Sequence, residues 1–180
     1  TQGDISIDGK NLNALRLNSL RSGLAYVPQE TFLFAGTIAD NVRYGDPTAS
    51  DQEVEQALAL ANATEFVQDL HDGISTKVGD GGLRLSRGRQ ERIALARAIV
   101  ANPSILMLDE ATSDIDTESE YELQKALVTV LANRTSFVIA HRLSTIRNAD
   151  VILVLEDGRI VQRGTHNELI SQPGPYNELH

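Results

Sequence analysis

Residues 104–116 read Ser-Ile-Leu-Met-Leu-Asp-Glu-Ala-Thr-Ser-Asp-Ile-Asp. The apolar residues 105–108 run without a break. A run that short and that apolar suits a strand buried on both faces of a parallel sheet. It stops at two adjacent carboxylates, Asp109 and Glu110. In open α/β sheets, ligands gather where parallel strands end. One carboxylate at such a place can hold Mg²⁺, usually through water, and the next can take a proton from an attacking water. The same pattern also suits a strand followed by a solvated acidic turn.

The chain has 180 residues, enough for one domain with a real core. Its net charge of -9 argues against nucleic acid, or an anionic membrane surface, as an electrostatic partner. It has no cysteine, so neither a disulfide nor a thiolate metal site. No apolar run approaches the roughly 20 residues of a spanning helix. The opening Thr-Gln-Gly-Asp lacks an initiator Met and reads as the start of a fragment.

Along the chain, Ile5 and Ile7 alternate with polar residues and predict a short strand closed by Gly9. A weak helix is expected over 12–20 and a small strand over 24–27, ended by Pro28 and followed by Gln29. Four of the eight Phe and Tyr residues fall between Tyr26 and Tyr44. They suit either a loop pinned by buried aromatics or a surface that docks another domain. Ser50-Asp51-Gln52-Glu53 is a capping-box pattern. Helices are expected over 51–61 and 64–70, with no strand signal, followed by a glycine-rich loop over 71–82. Ser86 is a plausible N-cap for a helix rich in Ala and Leu that ends at Asn102-Pro103. A long helix after Thr117 carries Leu123, Leu127, Val130 and Leu131 on one face. A second buried strand is expected over 137–140, with His141 at its end, and then a short helix over 144–148. A third apolar strand over 151–155 leads through Asp157-Gly158 into an antiparallel return, and a last helix starts at His166. His71, His166 and His180 lie outside any motif and are expected on the surface.

Several segments, weak singly, carry a resemblance in this order and spacing. The chain is similar to the nucleotide-binding domain of an ATP-binding cassette exporter, over essentially all of its length. Tyr26-Val27-Pro28-Gln29 resembles the Q-loop, Leu85-Ser86-Arg87-Gly88-Arg89 the signature motif, and 105–110 the Walker B strand with its carboxylate. Ser113-Asp114-Ile115-Asp116 resembles the D-loop, 140–144 the switch-histidine segment, and 76–81 an exporter-specific segment before the signature.

The resemblance implies a P-loop NTPase-like α/β fold, a mostly parallel sheet flanked by helices. Residues 1–49 and 100–180 would form an incomplete core, and 50–99 an inserted helical subdomain with the signature. It implies ATP and Mg²⁺ as cofactors. Asp109 and Gln29 would serve the metal, and Glu110, His141 and Gln29 catalysis. Ser86, Gly88 and Asp116 would face the ATP or the interface of an opposite subunit. The implied partners are a second nucleotide-binding domain and a fused or associated transmembrane domain, at the cytoplasmic face of a membrane. The alternative is a degenerate cassette that binds nucleotide mainly as a regulatory partner.

Two departures stand out. No Gly-x-x-x-x-Gly-Lys-Ser/Thr occurs in the chain, and the resemblance would place it roughly 20 to 30 residues before Thr1. The family's signature reads Leu-Ser-Gly-Gly-Gln, whereas here Arg87 stands for the first Gly and Arg89 for the Gln. Because that motif would serve the opposite subunit, its alteration raises the expectation of a different partner chain.

Overall fold

The computed structural model describes residues 3–109, 117–132, 134–139 and 146–178. The chain forms two compact units, Thr1–Ile139 and Ala140–His180. No helix among the described residues is long and apolar enough to cross a membrane.

In the first unit, β1 (Ser6–Ile7) and β2 (Lys10–Asn11) pair as a small antiparallel hairpin. The return strand was not expected, because two polar residues carry no periodic signal. The helix expected over 12–20 begins late, as α1 (Leu17–Ser22), after a 3₁₀ turn at Leu12–Ala14. The Asn11 side chain accepts from the Asn13 N–H, and Leu15 is extended, so the local hydrogen bonding breaks the helix in two.

Next come β3 (Leu24–Val27), β4 (Gly36–Thr37), α2 (Ile38–Arg43), α3 (Asp51–Leu60), α4 (Thr64–Gln68), β5 (Lys77–Val78) and α5 (Arg87–Val100). β6 (Ile105–Asp109), α6 (Thr117–Leu131) and β7 (Thr135–Ile139) complete the unit. β3, β6 and β7 form a parallel sheet in the order β3-β6-β7. Its register sets Val27 opposite Leu108, and Leu108 opposite Val138. Side chains alternate across this sheet with period two. Ala25, Val27, Leu106 and Leu108 point to the buried face. The expectation of a strand buried on both faces is therefore corrected. Ile105, Met107 and Asp109 share the opposite, half-covered face, and in β7 Phe137 and Ile139 on that side are about 60 % exposed.

α5 is the hub of the core. Ile93, Leu95, Ala96 and Ile99 are buried, and the helix packs against α2, α3, α6 and β3. Each fully buried Leu or Ile contributes about 1.5–3 kcal/mol. Gly45 lets the end of α2 approach, since a Cβ there would lie 2.0 Å from the Arg97 carbonyl oxygen. α6 buries Leu123, Leu127 and Val130 along the expected stripe.

The region 50–99 does contain a strand, contrary to expectation: β5 pairs antiparallel with β4, setting Gly36 against Val78 and Thr37 against Lys77. Gly79 follows at φ +77, and a Cβ there would meet the Phe34 carbonyl at 2.5 Å. A two-residue strand inside a glycine-rich stretch has no sequence signature of its own.

In the second unit, β8 (Ile152–Glu156) and β9 (Arg159–Gly164) form a hairpin. Asp157 and Gly158 both have positive φ, as a type I′ turn requires. α7 (His166–Ile170) and α8 (Pro175–Glu178) follow, and Ile152, Leu169 and Tyr176 make a small core. β8 is less buried than its apolar sequence suggested, with Leu153 and Leu155 exposed. His166 is not a plain surface residue. Its Nδ1 lies 2.9 Å from the Tyr176 hydroxyl, which burial holds above its ordinary pKa.

Candidate functional site

A parallel sheet delivers the ends of its strands to one edge. Here that edge carries Gln29, two residues beyond β3, and Asp109, the last residue of β6. β7 ends level with Asp109, at Ile139, two residues before His141 in sequence. Glu110, Asp116 and His141 lie outside the described residues, as do the first two positions, 144 and 145, of the short helix expected over 144–148.

Asp109 is half-buried and accepts a hydrogen bond from the Tyr26 hydroxyl at 3.0 Å. Tyr26 sits level with Met107 on the neighbouring strand, on the same face as Asp109, and its long side chain spans the remaining offset. The hydrogen bond to the carboxylate holds the phenol above its ordinary pKa, with smaller contributions from desolvation and the carboxylate's charge. Tyr26 was legible as an aromatic but not as this partner, because only the strand register brings it to Asp109.

A raised phenol pKa favours the neutral, donating form. Its contribution to stability is present below the phenol's ordinary value, about 10, and is lost as pH rises through the higher folded value. Ultraviolet titration of the wild type minus Tyr26→Phe should show one phenol ionising above that ordinary value. Asp109→Asn should bring the midpoint back toward it. An ordinary midpoint in the wild type would show that the bond does not form.

Gln29 is exposed, and its carbonyl lies 3.5 Å from the Arg87 guanidinium. Ser86 caps α5 by its backbone conformation, without a side-chain capping hydrogen bond, so the expected cap is only half made. Gly88 is buried in the first turn of α5. The first backbone N–H groups of α5 have no partner within the helix, a feature that attracts anions. Arg87 Nε donates to Glu91 Oε1 at 3.1 Å, and the Glu91 side chain is 1 % exposed. Arg89 and Arg92 lie over the Phe66 ring at 5.2 and 4.9 Å. Both departures from the signature therefore have partners within this chain.

The segment after Gln29 is held by two residues that the sequence did not single out. Asn41 is 1 % exposed; its Oδ1 accepts from the Phe34 N–H at 2.8 Å and from Arg97 Nη2 at 2.9 Å. Its Nδ2 donates to the Phe34 and Thr37 carbonyls. Arg97 also donates to the carbonyls of Asn41 and Phe32 and lies over the rings of Phe34 and Tyr44. Burial draws its pKa down. An arginine inside the apolar run 93–99 was a usable signal, since such residues are rarely buried without partners. Phe32 and Tyr44 remain exposed. A cavity of about 260 Å³ opens at Phe32, lined by residues 31–33, Gly79, Asp80 and Leu85 among others. A larger cavity, about 460 Å³, lies at Asn102, Ser104 and Arg134. It sits at the amino ends of β6 and β7, the wrong edge for ligand chemistry in a parallel sheet.

The ABC transporter family profile matches residues 1–113. An ATP-dependent lipid A-core flippase from Desulfotalea psychrophila is 48% identical over 99% of this chain and 31% of its own length. ATP-binding cassette sub-family B member 6 of Xenopus tropicalis is 49% identical over 97% of this chain and 20% of its own. A solved bacterial Atm1-family ABC exporter with ATP bound aligns with a TM-score of 0.90 at 43% identity, covering 99% of this chain and 31% of that one. The chain thus spans about a third or less of these relatives. A parallel sheet presenting Gln29 and Asp109 at one edge, a helix opened by Ser86 and Gly88, and these similarities place the chain in the ABC transporter family.

Proposed function

We propose that this chain is the ATP-binding and ATP-hydrolysing part of an exporter, working against a second nucleotide-binding domain at the cytoplasmic face of a membrane. The observation that carries the reading is Asp109, placed at the carboxyl edge of the central strand, held by Tyr26 and followed at once by Glu110. Residues 50–99 would act as the helical subdomain, and 1–49 with 100–180 as part of the α/β core. The half-covered face bearing Tyr26, Asp109, Phe137 and Ile139 supports an incomplete core, because parallel sheets are normally covered on both faces.

Magnesium takes oxygen ligands, and the Asp109 carboxylate and Gln29 amide fit that donor set. When bound, the ion would neutralise charge on the phosphates. Glu110 would take the proton of the attacking water, and His141 would orient that water or the terminal phosphate. Ser86 and Gly88 would offer backbone N–H groups to the ATP of the opposite subunit, and Asp116 would lie across the interface. The exposed Phe32 and Tyr44, with the cavity at Phe32, suit docking of a transmembrane domain.

The test is MgATP hydrolysis by the full-length protein in lipid vesicles, expected at about 1 s⁻¹ or faster. A folded, vesicle-inserted protein without hydrolysis would overturn the reading. The 180-residue chain contains no phosphate loop and should bind ATP-Mg with a Kd no tighter than about 1 mM. Calorimetric binding in the micromolar range would contradict the roles assigned.

A further inference from the structure

The altered signature looks like damage when read as a string. Its geometry says otherwise. Glu91 lies one turn after Arg87 on α5, and its side chain is 1 % exposed. A buried carboxylate is costly unless an opposite charge meets it with good geometry. Arg87 meets it, with Nε 3.1 Å from Oε1. A cation at the first residue of a helix is unfavourable toward the helix dipole, so this placement needs the compensation that Glu91 gives. The guanidinium also reaches out of the helix, with Nη2 3.5 Å from the carbonyl of Gln29. That separation is long for a hydrogen bond, yet a fixed cation facing a carbonyl dipole remains attractive. One side chain therefore touches the inside of α5 and the backbone of the loop that follows β3.

We propose that Arg87 and Glu91 form a strut within one subunit. It fixes the start of α5 against the backbone at Gln29, so that Arg87 positions Ser86 and Gly88 rather than binding nucleotide itself. The functional meaning rests on the reading given under Proposed function. Gln29 would serve the subunit's own site, and Ser86 and Gly88 the opposite one, so the strut ties the two sites together mechanically. Arg87→Gly, which restores the first Gly of the family's signature, removes the ion pair and the loop contact together. It should impair the protein rather than repair it. Arg87 then ceases to be an argument for a different partner chain.

The experiment uses full-length protein and the variants Arg87→Gly, Glu91→Gln, Arg87→Lys and the double Arg87→Gly/Glu91→Gln. Thermal unfolding and steady-state ATPase are measured for each. Arg87→Gly should lower the unfolding midpoint by several degrees and kcat by roughly tenfold, with KM for ATP within about twofold. The double variant should regain most of the lost midpoint, because both charges of the pair are gone together, and Arg87→Lys should retain part of kcat, because a point charge meets Glu91 without the fork. Wild-type or higher kcat in Arg87→Gly would overturn the strut, as would simple addition of the two single effects on the midpoint. If Arg87→Gly does not fold, a folded double variant supports the strut and an unfolded one overturns it. Wild-type protein without ATPase activity would defeat the functional reading alone, and the unfolding cycle would still decide the ion pair.

Discussion

Glu110→Gln in the full-length protein should lower ATP turnover by on the order of 10² or more while ATP binding survives. The amide keeps the size and much of the hydrogen bonding of the carboxylate but cannot accept the proton of the attacking water. Asp109 fixes where the reaction centre lies on the sheet. β6 carries it to the carboxyl edge of the sheet, between strands whose own ends lead to Gln29 and His141. Tyr26 secures it there by a hydrogen bond from its hydroxyl. The residue immediately after it has the right chemistry for a base and follows a fixed anchor. Hydrolysis and nucleotide affinity are measured on the same preparation. Turnover within about twofold of wild type would remove Glu110 from the role of base.

Asn41→Ala should destabilise the protein by about 3 kcal/mol, and it should do so without touching the nucleotide site. All four side-chain bonds of Asn41 are made in a place 1 % exposed to solvent. Alanine leaves the Phe34 N–H and carbonyl without that partner and takes one acceptor from Arg97, whose guanidinium is already drawn into the interior. The segment 32–36 then loses its anchor to α2 and α5, and the exposed rings of Phe32 and Tyr44 lose their fixed setting. Unfolding of the domain gives the stability, and ATPase coupling to transport gives the consequence. A loss below about 1 kcal/mol would mean that water takes over the bonds.

The sequence by itself determined whatever short-range chemistry dictates. Ser50 and Glu53 form the capping box that their spacing predicts. The same spacing at Thr37 and Asp40, and at Thr165 and Glu168, makes two more boxes. Asp157-Gly158 makes its hairpin, and Leu123, Leu127 and Val130 line the buried face of α6, because turn conformation and helical period are properties of neighbouring residues. The motifs at Gln29, Ser86 and Asp109 were legible for the same reason: each is a strand or helix end joined to a residue type.

Tertiary structure alone decided what depends on register and distance. Only the pairing of β3 with β6 puts the Tyr26 hydroxyl on Asp109, 83 positions away in the chain. Only the approach of α5 to α2, across Gly45, brings Arg97 onto Asn41. The strand at Lys77–Val78 exists because Gly36–Thr37 is there to pair with it, and neither segment holds enough apolar surface to announce itself. Arg87 shows the difference most plainly. Its identity as a departure was visible in the string, but its role was not. A charged side chain is defined by what it reaches, and the burial of Glu91, which makes that contact matter, is a property of the whole packed core.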